Sequence, residues 1–257
     1  MTARDPIGDR GGLAILVDPA RTTPAQARET AARAAGEGAA ALLVGNSFGA
    51  EDAAAVARAL KEGGGGALPV LQFPATASQL VAEVDAVLLL SLVSGRNAQY
   101  LIEEHVRSVP FFDRHPEVLP VSTAYLLVDG GAVTSVEAVS QTRPLPADKP
   151  ELTYAHARAA SLIGLRATYL DAGSGARRPV PPALVRAARE ASAGPLFVGG
   201  GVRGADAVRA AREAGADYVV VGTLVEREGT RHVRELALAA QPLAARPLVA
   251  QRLAAKP

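Results

Sequence analysis

The 257-residue sequence contains no cysteine and no tryptophan, and it has only one methionine. The absence of cysteine excludes disulfides, thiolate metal sites and cysteine nucleophiles, and it is compatible with a reducing cytoplasm. The four histidines show none of the spacings that are typical of metal ligands; they are His105, His115, His156 and His232. Disulfide-stapled scaffolds and thiol enzymes are therefore excluded.

The sequence also lacks a strong net charge and long apolar runs. The formal net charge is +1, so nucleic acid is not an expected partner and any anionic ligand must be held locally. No run approaches the roughly 18 apolar residues of a membrane-spanning helix, and the first residues, MTARDPIGDRGG, lack the apolar core of a signal peptide. We therefore expect a soluble, cytoplasmic protein.

What the sequence does contain is an alternation of short apolar runs with helical segments. Continuous apolar runs are typical of parallel strands that are buried on both faces. Eight strand–helix units in a chain of this length favour a single (β/α)8 TIM barrel over 1–257, rather than an open doubly wound sheet. The predicted strands are residues 13–17, 41–45, 68–73, 85–91, 124–128, 167–171, 196–198 and 218–221.

Four segments carry further expectations. Thr23-Pro24-Ala25-Gln26 matches a capping box at the start of the first helix. Residues 109–120 contain three prolines and are predicted to form an irregular excursion outside the core. The residues after Asp129-Gly130-Gly131 could form a short hairpin. The tail from Arg231, interrupted by Pro242 and Pro247, is either an outer helix packed on the barrel or an oligomer or membrane contact.

Three glycine turns follow successive strands near the end of the chain. They are Gly173-Ser174-Gly175, Gly199-Gly200-Gly201 and Gly222-Thr223. Backbone amides in such turns carry partial positive charge, and glycine lets a phosphate approach them closely. Because late loops build the phosphate site of many TIM barrels, the pattern predicts a phosphate-bearing small-molecule ligand.

The working residues of this barrel type lie at the carboxyl ends of the strands, where the sequence places Asp18, Asn46-Ser47, Phe73, Ser91, Asp129 and Asp171 in addition to the glycine turns. Asp18 and Asp171 are the carboxylates of this set that are otherwise hard to explain. Asp18 either caps the first helix or is a hard oxygen ligand for Mg²⁺ on a substrate diphosphate, with Ser47 as a second oxygen. Asp171 closes a buried strand directly before the first glycine turn, where it can accept a proton. The pattern alone does not separate an isomerase, an aldolase and a transferase.

Several stretches together resemble the geranylgeranylglyceryl phosphate synthase family, prenyltransferases that include the bacterial heptaprenylglyceryl phosphate synthases. They are LVDPA, ALLVGNSFG, SLVSGRNAQYLIEEH, YLDAGSGA and GGGVRGADAVRAAREAGADYVVVGTLVE. The segment TRPLPADKPELTYAHARAASLIG is similar to the longer branch of that family. The resemblance covers nearly the whole chain.

The resemblance implies Mg²⁺-dependent transfer of a prenyl group, with C20 expected, from its diphosphate to the C3 hydroxyl of sn-glycerol 1-phosphate. It implies that Asp18 and Ser47 hold the metal, that Asp171 and Tyr169 are catalytic, and that Tyr100 closes the prenyl groove. The implied glycerol phosphate contacts are Gly173, Ser174, Gly175, Gly200, Gly201, Gly222 and Thr223. A homo-oligomer with transient membrane contact is also expected.

The chain departs from the family pattern at four positions. It has Asp171 where the family usually has glutamate, Asn46 where a second glycine is usual, Thr223 in place of asparagine, and Glu103 in place of glycine. Aspartate is one methylene shorter than glutamate, so the first departure touches the expected base. The alternatives are a sugar-phosphate isomerase or lyase, and a non-catalytic protein that binds phosphate or polyprenyl ligands.

Overall fold

Eight parallel strands pair in sequence order in the computed structural model, which describes residues 5–8, 11–49 and 52–241. Pairing of the first strand with the last, with Leu13 opposite Val219, closes the sheet into a barrel. The predicted (β/α)8 TIM barrel is therefore confirmed. The strands are β1 (Gly12–Val17), β2 (Ala41–Val44), β3 (Val70–Gln72), β4 (Ala86–Leu92), β5 (Leu119–Leu127), β6 (Ala167–Asp171), β7 (Leu196–Gly199) and β8 (Tyr218–Val221).

Helices follow the strands and cover the outside of the barrel. The capping box begins the first of them as predicted: the Gln26 amide donates to Thr23 Oγ1 at 3.3 Å and the Thr23 amide donates to Gln26 Oε1 at 2.9 Å. Among the described residues, no helix is both long and apolar enough to cross a membrane. The helices are α1 (Pro24–Gly36), α2 (Ala53–Gly64), α3 (Glu104–Arg114), α4 (Ser135–Ser140), α5 (Pro150–Leu162), α6 (Pro182–Ala191), α7 (Ala205–Ala214), α8 (Thr223–Glu228) and α9 (Val233–Ala239).

Alternation along the strands divides the buried side chains into two layers. In β1, Ala14 belongs to the barrel interior, whereas Leu13 and Ile15 pack in the layer between strands and helices. The interior contains a group of aromatic rings, here called the aromatic column: Phe73, Tyr125, Tyr169, Phe197 and Tyr218. Adjacent rings stack at 4.6 Å (Phe197–Tyr218), 5.9 Å (Tyr169–Phe197) and 4.8 Å (Phe73–Tyr169). The column fills the barrel up to the mouth at the carboxyl ends of the strands.

The predicted irregular excursion over 109–120 is wrong. A π-helical turn, Gln99–Glu103, leads into α3, which continues through Pro110 to Arg114. The strand β5 then begins at Leu119, five residues before the predicted start. Proline is tolerated near the beginning of a strand because only one ladder hydrogen bond is lost, and Pro120 pairs there with Val87. Two of the three prolines therefore lie inside regular elements, Pro110 in a helix and Pro120 in a strand, and do not end them.

The predicted hairpin after Gly131 is also wrong, because residues 135–140 form α4. An extended Thr134 precedes that helix, and Glu137 and Ala138 favour a helix within it. For the tail, the helical alternative is confirmed as far as the description extends: α9 packs against α1 and α7. Pro242 and Pro247 lie outside the described residues.

Candidate active site

Two hollows of different character meet at the mouth of the barrel. The polar cavity lies over β1, β6, β7 and β8 and is lined by groups that include Asp18, Asp171, Ser174, Gly200 and Thr223. The apolar pocket lies over β3 to β5 and is lined by groups that include Leu80, Leu90, Tyr100, Tyr125 and Val139. Asn46, Ser47 and Phe73 line both hollows. A ligand with an anionic end and an apolar end therefore has a continuous place to bind.

The three glycine turns converge on the polar cavity as the sequence predicted. Ser174 and Gly175 follow β6, Gly200 and Gly201 follow β7, and Gly222 and Thr223 follow β8; all six line the cavity. Gly200 has a φ of +78°, and a Cβ atom there would lie 2.5 Å from both Asp171 Oδ1 and the Gly173 nitrogen. Only glycine fits this conformation and this space. The fold therefore exposes backbone at the place where a phosphate would bind.

Gly173 has a different contact from the one expected for it. Its amide donates a hydrogen bond to Asp171 Oδ1 at 2.7 Å. An amide that is engaged in this way is not directed at a ligand. Gly173 therefore contributes to the site by fixing Asp171, and its role as a phosphate donor remains a prediction.

Asp171 is a buried carboxylate at the end of β6, with 7% of its surface exposed. Tyr125 Oη donates to its Oδ2 at 2.7 Å, and the Gly173 amide donates to its Oδ1. Burial raises the pKa of Asp171, and the two hydrogen bonds oppose that shift without cancelling it. A carboxylate with a raised pKa at the edge of a polar cavity is suited to accept a proton.

Tyr169 lies two residues before Asp171 and also lines the polar cavity. Only 1% of its surface is exposed, and burial together with the nearby Asp171 charge raises the pKa of its phenol well above the ordinary value. The hydroxyl lies against Gly199, where a Cβ atom would come within 2.5 Å of it. Tyr169 is therefore a neutral, tightly packed hydroxyl beside the expected base.

Asp18 faces the polar cavity from the end of β1. Its Oδ1 accepts from the Ala20 amide at 2.9 Å and from Asn46 Nδ2 at 3.2 Å, and Arg21 Nε lies 3.6 Å from its Oδ2. The alternative that Asp18 caps the first helix is wrong, since Thr23 performs that function. Asp18 is thus held in the cavity wall by its neighbours.

Glu226, in the first turn of α8, brings a second carboxylate to the same wall. Its Oε2 lies 3.9 Å from Arg21 Nη1. Burial raises the pKa of Glu226, and the charge of Asp18 raises it further. Two carboxylates thus share one guanidinium at the place where a cation would relieve their repulsion.

The oxygen donors of Asp18 and Ser47 fit Mg²⁺, which usually takes one or two protein carboxylates and fills its shell with water and substrate phosphate. Within residues 5–8, 11–49 and 52–241, no group of three or more His, Cys, Asp and Glu side chains could hold a metal ion alone.

Tyr100 lies in the wall of the apolar pocket, in the π-helical turn before α3. Burial raises the pKa of its phenol, and Glu104 raises it further. Glu104 is itself buried and accepts the Ala77 amide at 2.7 Å, which joins this wall to the loop after β3. Tyr100 therefore forms part of the wall of the apolar pocket.

Two residues next to the expected site were not predicted from the sequence, and the side chains at two other strand ends make contacts outside the site. Tyr125 and Glu226 had no predicted role, although Tyr125 donates a hydrogen bond to Asp171 and Glu226 interacts electrostatically with Asp18. Ser91 Oγ instead donates to the Leu101 carbonyl at 2.6 Å, and Asp129 Oδ1 accepts the Gly131 amide at 2.7 Å. An aromatic residue on an inward-facing strand position was the available signal for Tyr125.

Comparisons with known proteins agree with this geometry. The sequence profile described as the PcrB family matches residues 10–240. The chain is 46% identical over 161 residues to the geranylgeranylglyceryl phosphate synthase of Spirosoma linguale, a match that covers 62% of this chain and 64% of that protein, just under two thirds of its length. It is 36% identical over 230 residues to the synthase of that name from Chitinophaga pinensis, with 88% of each chain covered.

A solved structure has the same fold. It is the (S)-3-O-geranylgeranylglyceryl phosphate synthase of Thermoplasma acidophilum in complex with its substrate sn-glycerol-1-phosphate. The TM-score is 0.81 at 25% sequence identity, and the match covers 90% of this chain and 94% of that one. The similarity thus extends over nearly the whole barrel.

Proposed function

The chain belongs to the PcrB family, and on that premise we propose that it transfers a geranylgeranyl group from its diphosphate to the C3 hydroxyl of sn-glycerol 1-phosphate. The observation that carries the proposal is the meeting of the two hollows at Asn46, Ser47 and Phe73. An apolar pocket suits the prenyl chain, and a polar cavity suits the two phosphate-bearing groups. The products would be a prenylglyceryl phosphate ether and diphosphate.

The glycine turns would hold the glycerol phosphate. Ser174, Gly175, Gly200, Gly201, Gly222 and Thr223 line the polar cavity, and backbone amides there can donate to phosphate oxygens without a side chain in the way. Gly173 would support them through its hydrogen bond to Asp171. Glycerol phosphate held in this way would have its C3 hydroxyl near Asp171 and Tyr169.

Asp18 and Ser47 would hold the magnesium, with Glu226 adding negative charge to the same wall. Bound Mg²⁺ would supply the charge that neutralises the leaving diphosphate. The residues of the chain would align that diphosphate, since Asn46 holds Asp18 in place and Ser47 lies where the polar cavity and the apolar pocket meet. The prenyl carbon is thereby directed at the glycerol.

Asp171 would finally hold the proton that the glycerol hydroxyl loses. An alcohol is a weak nucleophile until its proton has an acceptor, and a positioned carboxylate supplies one. The raised pKa of Asp171 makes it a better acceptor than an ordinary aspartate. Tyr169, packed beside it, would contact the glycerol and keep water out of this end of the cavity.

Tyr100 would close the apolar pocket behind a C20 chain, because it stands in the pocket wall.

For the molecule as a whole, we propose a single domain over 1–257, a cytoplasmic location, a homo-oligomeric state and transient contact with a membrane that receives the product. Cell fractionation and light scattering measure the location and the oligomeric state directly.

The test is an incubation of the purified chain with Mg²⁺, sn-glycerol 1-phosphate and labelled C15, C20 and C35 prenyl diphosphates. Product in the organic phase, greatest with the C20 donor, is the expected result. The enantiomer sn-glycerol 3-phosphate is the matched control and should yield much less. Absence of product with each donor would reject prenyl transfer and leave phosphate or polyprenyl binding without turnover.

A further inference from the structure

Tyr125 is a site residue to which the proposed function gives no role. It stands seventh of nine residues in β5, near the mouth, and 4% of its surface is exposed. Its hydroxyl donates to Asp171 Oδ2 at 2.7 Å. The other oxygen of Asp171 accepts the Gly173 amide. Both oxygens of the proposed base are therefore in contact with the protein, and only the phenol partner can exchange a proton.

The Tyr125–Asp171 hydrogen bond joins the two hollows. Tyr125 lines the apolar pocket and Asp171 lines the polar cavity. Phe73, which lines both, packs edge-on against Tyr125 at 5.8 Å and stacks on Tyr169 at 4.8 Å between ring centroids. These contacts fix the phenol at the boundary where a prenyl carbon and a glycerol hydroxyl would meet.

The phenol oxygen can still accept a hydrogen bond. Among the described residues, none donates to Tyr125 Oη, and a phenol oxygen has acceptor capacity in addition to its one proton. Burial and the neighbouring Asp171 charge raise the pKa of Tyr125 well above its ordinary value, so the phenol is protonated in the resting site. The charge of Asp171 also acts on Tyr169.

Resting on the proposed function, we propose that Tyr125 is a catalytic residue that relays the proton of the acceptor hydroxyl to Asp171. The C3 oxygen of glycerol forms the new bond to the prenyl carbon as the carbon–oxygen bond to diphosphate breaks, and diphosphate leaves with that electron pair. The hydroxyl proton passes to Tyr125 Oη while the phenol proton passes to Asp171 Oδ2. Tyr125 is unchanged at the end, and Asp171 is neutral.

The relay would let an aspartate serve as the base at this position. The short side chain holds its Oδ2 against the phenol and its Oδ1 against its own loop. Tyr125 extends the reach of the carboxylate towards the boundary between the hollows. A glutamate, one methylene longer, could reach the acceptor without the relay.

The test measures kcat and the glycerol phosphate KM of Tyr125→Phe across the pH range. A relay predicts a kcat plateau lowered by about 10²-fold at every pH with little change in KM, since a lost proton path is not restored by base. If Tyr125 only tunes Asp171, removing its hydrogen bond raises the pKa of Asp171 further, and activity returns at higher pH. That recovery, or a wild-type plateau, would overturn the proposal.

A second experiment combines Tyr125→Phe with Asp171→Glu in a double variant. Tyr125→Phe should cost much less kcat in the Asp171→Glu background than in the aspartate background, whereas a packing defect would cost the same in both. Tyr218→Phe, which removes a hydroxyl at the other end of the aromatic column, is the matched control and should retain wild-type kcat. If the unaltered chain makes no product, the proposed function fails; if it does and Tyr125→Phe is fully active, only the relay fails.

Discussion

The polar cavity and the apolar pocket are built from different parts of the polypeptide. Backbone and glycine form much of the cavity: Gly175, Gly200 and Gly201 all have positive φ, and turns after three strands face one space. Side chains of β3 to β5 and of the helical segment after β4 form the pocket. Substitution in the first region should therefore abolish binding, whereas substitution in the second should change which chain is accepted.

The largest effect is expected from Gly200→Ala. The methyl group would meet Asp171 Oδ1 and the Gly173 nitrogen at 2.5 Å, and the φ of +78° adds strain of about 1–3 kcal/mol. We expect activity below detection and a lower melting temperature. Gly204→Ala is the matched control, since its Cβ would have no atom within 4 Å; wild-type activity is expected there. Full activity of Gly200→Ala would contradict the assigned phosphate contact.

The next effect concerns Asp171→Asn, for which we expect kcat to fall by about 10²–10⁴-fold with little change in the glycerol phosphate KM. The amide keeps the shape of the side chain but does not accept the proton. Asp206→Asn, at a carboxylate with 99% of its side chain exposed, is the control. A variant that loses only binding would mean that Asp171 orients the loop and that the base lies elsewhere.

The same residue gives a pH dependence of defined sign. Burial raises the pKa of Asp171 above its ordinary value of 3.8, so kcat should rise with pH through that raised pKa, and this rise should be absent from Asp171→Asn. Because the pKa is higher in the folded than in the unfolded state, ionisation of Asp171 opposes folding. Its contribution to stability is present below pH 3.8 and is lost as pH rises through the folded pKa. A kcat limb in the range of an exposed aspartate would contradict this assignment.

A smaller effect is expected from Asp18→Asn. An amide oxygen carries no net charge, so it is a poor substitute for an anionic Mg²⁺ ligand, although other oxygens remain. We expect activity at limiting Mg²⁺ to fall roughly 10²-fold, with partial recovery as Mg²⁺ is raised. Titration of activity against Mg²⁺ measures both. Near-normal activity at limiting Mg²⁺ would reject Asp18 as a ligand.

The smallest effect is expected in the apolar pocket. Tyr100→Ala removes part of the pocket wall, so longer prenyl donors should gain roughly tenfold in kcat/KM relative to the C20 donor. Competition between labelled donors of two lengths measures that ratio. Tyr154→Ala, on the partly exposed outer side of α5, should leave it unchanged. An unaltered length profile in Tyr100→Ala would place the chain-length limit elsewhere in the pocket.

How far the sequence was sufficient is clear from Asp171 and Tyr125. Asp171 was found because it ends a continuous apolar run directly before a glycine turn, both of which are local signals. Tyr125 was missed because it lies inside a predicted strand rather than at its end, and no local signal marks the partner of its hydroxyl. The strand begins at Leu119 rather than at Ala124, but Tyr125 lies two residues from the observed carboxyl end at Leu127, and its hydroxyl reaches Asp171 on the neighbouring strand. Pro120 and the polar Ser122 and Thr123 concealed the true start.

Contacts between distant segments explain the rest of what was missed. Glu226 precedes no glycine turn and ends no strand, and it meets Asp18 only because β8 closes on β1. The three glycine turns were predictable because each directly follows a strand. The carboxyl ends of all strands in a parallel barrel lie on the same face, so the three turns had to lie near one another. A contact between two side chains that are far apart in the sequence leaves no signal in either local stretch, so such contacts could not be predicted.

The aromatic column makes the barrel interior visible to spectroscopy. The chain has five tyrosines and no tryptophan, and three of those tyrosines, Tyr125, Tyr169 and Tyr218, belong to the column. Their packing should dominate the near-ultraviolet circular dichroism, and a ligand that reaches the mouth should alter the signal of Tyr125 and Tyr169 first. Both phenols have a pKa well above the ordinary value because they are buried. In alkaline solution their tyrosinate absorbance should therefore appear only when the barrel opens, which gives an unfolding assay that needs no added dye.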